Sequence, residues 1–146
     1  MNGESDFTRL LQSMSPQHRA GRFVFATVDQ RPDDIEVLAS VVESEGLSLV
    51  VHQEDADRLQ LRYDFVAGWI TLQVHSALAA VGLTAAVSTA LADAGISCNV
   101  VAGYHHDHLF VPADRREEAL DVLRRLGTPQ DDTSRDVTPP PPRRGA

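Results

Sequence analysis

The sequence predicts an α/β (α+β) fold in which amphipathic helices pack on one face of a sheet. Short runs of β-branched and aromatic residues alternate with stretches whose apolar residues have helical spacing. Residues 45–48 and 94–97 share one order, a helix end, a glycine, an apolar residue and a serine before a strand, which indicates an internal repeat. With 146 residues, 42% of them apolar, the chain can form one compact unit or two small units that share a core.

An amphipathic helix is expected near the N-terminus. Its apolar face follows the i, i+3, i+4, i+7 spacing and consists of Phe7, Leu10, Leu11 and Met14. The pair Ser15-Pro16 should end this helix, because a residue before proline avoids the helical region. Residues 1–22 are therefore expected to form an N-terminal helical extension.

A first unit is predicted at residues 23–68, beginning with strand, helix, strand. Ile35, Leu38 and Val42 lie on one helix face, and Gly46 would cap that helix. The predicted elements of this unit are a strand at 23–28, a helix at 34–45, a strand at 47–51, a short helix at 54–59 and an extended piece at 63–66.

A second unit is predicted at residues 69–127. Its first helix begins after Gly82 and ends at Gly95, because the residue that follows a helix commonly has a positive φ, which glycine tolerates. Trp69 and Phe110 are expected to be buried anchors. The predicted elements are a strand at 69–74, a helix at 83–94, strands at 97–103 and 108–111, and a last helix that ends at residue 127.

The C-terminal part is predicted to contain one helix and a tail. Asp114 and Glu117 have the spacing of a capping box, in which each side chain bonds the backbone near the other. Four arginines are expected on the exposed face of this helix, namely Arg115, Arg116, Arg124 and Arg125. Residues 128–146 have no apolar periodicity and contain four consecutive prolines, so a disordered tail is expected.

Neither predicted unit is complete by itself. The second unit runs strand, helix, strand, strand, helix, and lacks one strand of a ferredoxin-like βαββαβ unit. The first half of the chain could supply that strand. We therefore expect two interlocked units that share strands and bury their helices on one face.

The composition excludes several classes of function. A net charge of -8 argues against nucleic acid as a partner, because phosphate binding needs a basic surface. All 13 basic residues are arginines, so the chain cannot form a lysine Schiff base with pyridoxal phosphate or supply a phosphate-loop lysine. Cys98 is the single cysteine, which excludes an internal disulfide and a cysteine-based zinc cluster.

The sequence has no apolar run of membrane-spanning length, and its N-terminus is polar, unlike a signal peptide. We therefore expect a cytoplasmic protein with no membrane partner.

Three blocks of the sequence, residues 74–84, 94–100 and 104–112, resemble the ACT-domain family. Over residues 20–126 the chain is similar to small bacterial stand-alone proteins that hold two ACT-like units. This resemblance implies tandem interlocked ferredoxin-like regulatory units that bind an amino acid, often at an interface between paired units. The catalytic domain that such units regulate in other proteins is absent from this sequence, so we expect no enzyme and no cofactor, and we further expect a homodimer and an unidentified regulated protein.

The glycine turn at Gly82 is the first candidate site. A helix start offers free backbone N–H groups, and a glycine beside them lets an anion approach closely. The resemblance places a ligand at this turn and at Asn99 on the adjacent strand, and Asp107 could pair with its α-amino group if the fold brings the two close. The candidate ligand-binding residues are Val81, Gly82, Leu83, Thr84, Asn99 and Asp107. The alternative is that Gly82 only makes a turn.

Two further candidates involve side-chain chemistry. Residues 105–108, His-His-Asp-His, are typical ligands of zinc, nickel or copper, with His75 as a distant fourth ligand. The alternative, which we prefer, is a polar hairpin whose histidines form local hydrogen bonds, so no metal site is predicted. Cys98 could be a nucleophile, but on an inner strand a cysteine is more typical as a small apolar filler.

The sequence therefore predicts a non-catalytic cytosolic module that binds a small molecule, an amino acid by resemblance. Two other hypotheses stay open. One is a structural or protein-interaction module without a ligand, and the other is a metal-binding protein that uses residues 105–108.

Overall fold

The computed structural model describes residues 3–74 and 82–128. The elements in chain order are α1 (Gly3–Ser13), β1 (Ser15–Val28), β2 (Val37–Glu43), β3 (Gly46–His52), α2 (Gln53–Arg58), β4 (Val66–Gln73), α3 (Leu83–Asp93), β5 (Asn99–Ala102), β6 (Asp107–Pro112) and α4 (Arg116–Leu126). The tail expected over 128–146 lies outside the described residues from 129 onward, as do Val81 and His75. None of the helices in the two ranges combines the length and apolar character that a membrane span requires.

Within the described residues, six strands form one sheet in the order β2-β3-β1-β4-β6-β5, and all neighbouring strands are antiparallel. The long strand β1 has two roles. Its first half pairs with the end of β4, from Ser15 opposite Gln73 to Arg19 opposite Trp69. The register shifts between Arg19 and Phe23, and the second half of β1 then pairs with β3 as well as with β4.

This pairing makes two ferredoxin-like units that share their central strands. The order β1-β4-β6-β5 belongs to the unit that carries α3 and α4, and the order β4-β1-β3-β2 belongs to the unit that carries α2. Strands β1 and β4 therefore serve both units. The expectation of interlocked tandem units is confirmed.

The helices cover one face of the sheet. Val24 lies opposite Val66, so both point to the same face, and Ile70 joins them because side chains of a strand alternate. Helix α2 packs on this face through Ala56, which is fully buried against Val24 and Val51. Helices α1, α3 and α4 pack on a second cluster of the same face that includes Ile70, Leu72, Val87, Leu91, Leu109 and Leu120.

The opposite face of the sheet carries an aromatic cluster. Phe23, Trp69 and Phe110 are 1%, 4% and 1% exposed, so the two residues predicted as buried anchors are confirmed. Trp69 packs edge to face on Phe23, and the guanidinium of Arg19 lies 4.1 Å from the centre of the indole ring. The cation–π contact helps to cover the indole on a face that no described helix covers.

The predicted helix at 34–45 is wrong, because this segment forms strand β2. Val37, Val41 and Val42 are β-branched, and β2 pairs with the buried strand β3 across a two-residue turn. Gly46 does not cap a helix but begins β3 with φ at +142°. A Cβ at Gly46 would lie 3.0 Å from the carbonyl oxygen of Val28, so the backbones approach closely at this position.

The N-terminal helix is confirmed as α1, but residues 15–22 are not a helical extension. They form the first half of β1, because β4 would otherwise have an unpaired edge at its end. Met14, at the junction, is 7% exposed and belongs to the helix-side core. Gly127 also approaches α1 closely, since a Cβ there would lie 3.0 Å from the carbonyl oxygen of Leu11.

The predicted capping box at Asp114 and Glu117 is wrong. A short 3-10 turn, Ala113–Arg115, precedes α4, and no side chain caps the helix start. Arg115 instead donates hydrogen bonds to the backbone oxygens of Gly95, at 2.6 Å, and Ala94, at 3.1 Å, which satisfies the end of α3. The helix is therefore fixed by its neighbour and not by a local motif.

Arg116 does not lie on an exposed face as expected. Its side chain packs over Gly68, where a Cβ would lie 2.9 Å from Cδ of the arginine, and it donates to the backbone oxygen of Gly21 at 3.2 Å. Arg124 and Arg125 are exposed, as predicted. Gly95 has a φ of +70°, as expected for the residue that follows a helix end.

Candidate functional site

The turn before α3 has the predicted backbone conformation. Gly82 is the N-cap of the helix with a φ of +103°, a region that favours glycine. Its carbonyl oxygen accepts the first helical hydrogen bond from the N–H of Ala86 at 2.9 Å. Thr84 is exposed, whereas the side chain of Leu83 is 3% exposed and belongs to the core. Leu83 can therefore offer a ligand only its backbone.

The ring of Phe7 covers this turn. A Cβ at Gly82 would lie 3.0 Å from Cε2 and 3.4 Å from Cδ2 of Phe7. The aromatic side chain of α1 thus occupies the space beside the glycine where the sequence predicted the approach of an anion. A ligand that reaches this turn has to displace the ring.

The fold separates two of the candidate residues. Asn99 lies opposite Phe110, and Asp107 lies opposite Ala102, at the two ends of the β5–β6 pair. Three steps along a strand separate these positions, which is about 10 Å. Asn99 and Asp107 therefore do not meet at one small ligand.

Asp107 lies at the same end of the sheet as Gly82. Its partner on β4 is Leu72, close to the end of that strand. The other end of α3, at Gly95, is bonded by Arg115 beyond the far end of β6. The start of α3 and Asp107 are thus on one end of the molecule, and Asn99 is on the other.

A cleft of about 470 Å³ opens at this end of the sheet, between the end of α1, the end of β4 and the turn before β6. We call it the terminal cleft. It is lined by Ser13, Ser15, Gln73, Val74 and His106. Its volume lies in the range of small-molecule sites, which is about 300–1,000 Å³.

His106 is the unusual residue of the terminal cleft. Its Nδ1 atom is buried and has no hydrogen-bond partner among the described residues. Buried polar atoms in native proteins nearly always have a partner, so an unpartnered one calls for an explanation. The backbone of His106 is fixed, because its carbonyl oxygen accepts a hydrogen bond from the N–H of Gly103 at 2.9 Å.

Other polar groups of the terminal cleft are oriented by bonds outside it. The hydroxyl of Ser13 donates to the carbonyl oxygen of Leu10 at 2.8 Å, which leaves its lone pairs free to accept. The amides of Gln73 and Gln17 bond each other twice, both at 3.1 Å. The cleft therefore presents acceptors and an imidazole on a defined wall.

The sequence pointed to His106 but not to the terminal cleft. Ser15 and Gln73 are 58 positions apart and meet because they are opposite each other in the β1–β4 register. That register depends on the first half of β1, which the sequence did not identify as a strand. The only available signal was the polar side chain of Gln73 near the end of the strand predicted at 69–74.

The histidine cluster does not converge. Trp69 Nε1–H donates to Nδ1 of His108 at 3.1 Å, so His108 faces the aromatic cluster, while the ring of His105 packs against Tyr104. Burial lowers the pKa of His108, and the positive charges of Arg19 and His106 lower it further. In the two described ranges, no three His, Cys, Asp or Glu side chains meet in a way that could hold a metal ion.

Cys98 has the environment of a filler. It packs against the helix-side core, and burial raises the pKa of its thiol to about 11. A cysteine nucleophile needs a lowered pKa, so this thiol stays protonated at neutral pH.

Sequence comparisons identify two adjacent ACT-domain matches. One ACT-domain profile matches residues 2–68, and a second matches residues 65–125. The overlap at 65–68 falls at the start of β4, which both units share. No curated protein matches the chain.

Solved structures with the same fold are numerous. A Vibrio cholerae protein of unknown function, described as a possible transport protein, is 45% identical, with a TM-score of 0.79, over 87% of this chain and 100% of that chain. A protein from Agrobacterium tumefaciens is 22% identical, with a TM-score of 0.60, over 78% of this chain and 89% of that one. The ligand-free regulatory subunit of aspartate kinase from Thermus thermophilus is 11% identical, with a TM-score of 0.57, over 76% of this chain and 95% of that one. The last two show the fold alone.

Proposed function

The chain belongs to the ACT-domain family, and from that premise we propose that it is a regulatory module that binds an amino acid in the terminal cleft. ACT domains are regulatory, non-catalytic modules that commonly bind small molecules such as amino acids and form oligomers. The observation that carries the proposal is His106, which lines a cleft of suitable size and whose buried Nδ1 has no hydrogen-bond partner among the described residues.

The chemistry of the cleft fits a zwitterion. An imidazole nitrogen accepts a hydrogen bond from an α-ammonium group, or donates one to a carboxylate when it carries the proton. Ser13 and Ser15 add hydroxyl groups, and Gln73 adds an amide. Asp107 is not among the lining residues, but its negative charge at the same end of the sheet favours an ammonium group there.

We propose that α1 transmits the binding event. Ser13, the last residue of α1, lines the terminal cleft, while Phe7 of the same helix covers the Gly82 turn. A ligand that binds one position of α1 better than another shifts the population of that position. This shift in the position of α1 would change how two copies of the chain pair and how they bind an unidentified regulated protein.

The test is binding of the twenty amino acids to the purified full-length chain, measured by thermal unfolding and by calorimetry. A ligand at one hundred times its Kd stabilises the folded state by about 2.7 kcal/mol, which is a measurable rise in Tm. We expect His106→Ala to weaken binding of the active amino acid at least tenfold.

The matched control is His105→Ala, which removes the neighbouring imidazole outside the cleft and should leave the affinity unchanged. The proposal is contradicted if no amino acid raises Tm, or if His106→Ala and His105→Ala bind equally well.

One observation favours a second candidate, a protein-interaction module without a ligand. Phe7 already fills the space beside Gly82, so this turn has no free anion site in the described conformation. An absence of amino-acid binding together with an intact dimer would support this candidate.

A further inference from the structure

A second cleft lies on the unit that carries α2, beside the irregularity in strand β1. Residues 20–22 have no partner in the register of either neighbouring strand, and Gly21 has a φ of +112°. A bulge of this kind redirects the side chains that flank it. The cleft has a volume of about 350 Å³ and opens where β3 leads into α2. We call it the bulge pocket, and it is lined by Gly21, Arg22, His52, Gln53 and Glu54.

The bulge pocket is separate from the terminal cleft. Ser15 lines the terminal cleft, and Gly21 lines the bulge pocket six positions further along the same strand. Because an extended strand rises about 3.3 Å per residue, these two positions are roughly 20 Å apart. One small molecule cannot contact both, so the two clefts are independent candidate sites on a shared strand.

Arg22 is oriented by a chain of hydrogen bonds from the α2 unit. Its Nε–H donates to Oε1 of Gln53 at 3.2 Å, and Nε2 of Gln53 donates to the hydroxyl of Tyr63 at 3.1 Å. That hydroxyl donates in turn to Oδ1 of Asp57 at 2.6 Å. Because each group has a defined partner, the guanidinium is held in place before a ligand arrives, which reduces the entropy lost on binding.

The terminal nitrogens of Arg22 can bind an anion. Its Nη1 lies 3.6 Å from Oδ1 of Asp114, beyond hydrogen-bond distance, and the side chain of Asp114 is 88% exposed. Exposed ion pairs of this kind contribute little to stability. A carboxylate from a ligand can form two parallel N–H···O bonds with the fork of an arginine, which is a stronger contact. A ligand carboxylate can therefore replace Asp114 on this guanidinium.

The remaining groups of the bulge pocket are acceptors. The Nε2–H of His52 donates to Oε2 of Glu36 at 3.2 Å, since a carboxylate can only accept, and this leaves Nδ1 of the neutral ring as an acceptor. The ring of His52 also packs on Phe23, with the two centroids 5.1 Å apart. Glu54, an exposed residue, adds a carboxylate. One part of the pocket thus favours a negative group and another part favours a positive one.

We propose that the bulge pocket binds a small zwitterion, with its carboxylate on Arg22 and its ammonium group on Glu54 and His52. The volume of about 350 Å³ lies near the lower end of the range for small-molecule sites, which is about 300–1,000 Å³. A plain anion is disfavoured, because the carboxylates of Glu54 and Asp114 would repel it. This site goes beyond the proposed function and does not depend on it, so a chain with both sites binds two small molecules.

The test is calorimetry with each of the twenty amino acids as the probe, on the full-length natural chain and on His106→Ala. The second chain lacks the imidazole of the terminal cleft, so the binding that it retains reports the bulge pocket. We expect Arg22→Gln to weaken this retained binding at least tenfold, because glutamine can still donate to Gln53 but has no cationic fork. Arg31→Gln is the matched control, since it removes the same charge from an exposed position before β2 and should leave the affinity unchanged.

Derivatives of the amino acid that binds separate the two contacts. Acetylation of its amino group removes the ammonium, and amidation removes the carboxylate. We expect each derivative to bind at least tenfold more weakly than the parent amino acid. Glu54→Gln should weaken binding of the parent but leave binding of the acetylated derivative unchanged, because that derivative has no ammonium group for Glu54 to contact.

The number of bound molecules distinguishes this inference from the proposed function. Two molecules per natural chain, of which His106→Ala removes one and Arg22→Gln the other, support both sites. Binding that only Arg22→Gln removes supports the bulge pocket and contradicts the terminal cleft. Binding that only His106→Ala removes overturns the bulge pocket alone, as do equal effects of Arg22→Gln and Arg31→Gln. No heat with any amino acid overturns both.

Discussion

The imidazole of His108 is held in one protonation state by its neighbours. Trp69 Nε1–H lies 3.1 Å from Nδ1, and an indole N–H can only donate. Nδ1 must therefore accept, which leaves the proton of the neutral ring on Nε2. Burial is the main cause of the lowered pKa of His108, and the charges of Arg19 and His106 act in the same direction. A second proton would break the bond to Trp69.

We predict that the free energy of unfolding decreases as the pH falls below about 6.5, the pKa of an unfolded histidine. Between that value and the lower folded pKa of His108, the unfolded chain binds more protons, so acid favours unfolding. His108→Asn should flatten this slope, since its amide oxygen still accepts from Trp69. The pH dependence of the free energy of unfolding is measured by urea unfolding at several pH values, followed by the fluorescence of the single tryptophan.

The control for this prediction is His105→Asn, which replaces an exposed histidine in the turn before β6. It should keep the pH slope of the natural chain. Equal slopes for the two variants would show that another group causes the loss of stability.

At the scale of elements, the local sequence pattern predicts the secondary structure correctly only where tertiary contacts favour the same structure. Helix α3 follows its apolar stripe from Leu83 to Leu91 and ends before Gly95, as the sequence predicts. The segment at 34–45 has a similar stripe, yet it forms β2. The backbone of β2 pairs with the open side of strand β3, and its β-branched valines favour the extended conformation. Pairing between strands overrides a helical spacing, and no local pattern reveals the partner.

We predict that Phe7→Ala exposes the start of α3. The first amides of a helix have no intrahelical acceptor, so their protection depends on what covers them. The ring of Phe7 covers Gly82, and hydrogen exchange in residues 82–86 should accelerate about tenfold without it. Exchange in α4 should not change. Thr8→Ala, an exposed position on the same helix, is the control, and equal exchange in both variants would contradict a covering role for Phe7.

At the scale of the whole molecule, the candidate site could be predicted only in part. His106, Asp107 and Gly82 were noted as separate features, and the fold places them at one end of the sheet. Asn99 is at the other end, because it begins β5, Asp107 begins β6, and the two strands are antiparallel. The terminal cleft depends on the pairing of β1 with β4, a contact between distant parts of the chain. Sequence spacing carries little information about such a register.

The shared strands also predict how the chain unfolds. Strands β1 and β4 belong to both units, so neither unit can lose its core while the other keeps a complete sheet. We predict one cooperative transition in urea, with the same midpoint by tryptophan fluorescence and by far-ultraviolet circular dichroism. Trp69 reports the aromatic face, and circular dichroism reports the helices on the opposite face.

Truncations in the two units sharpen this prediction. Leu49→Ala removes a side chain that is 1% exposed in the α2 unit, and Leu120→Ala removes a fully buried side chain of α4. Each should lower the free energy of unfolding by about 2–5 kcal/mol, because a buried leucine leaves a cavity. The dependence of the free energy of unfolding on urea concentration should stay unchanged, and the two probes should still give one midpoint. The control Gln12→Ala, at an exposed position, should leave the free energy of unfolding unchanged. If Leu49→Ala split the transition and left the helical signal intact, the two units would fold independently in spite of their common strands.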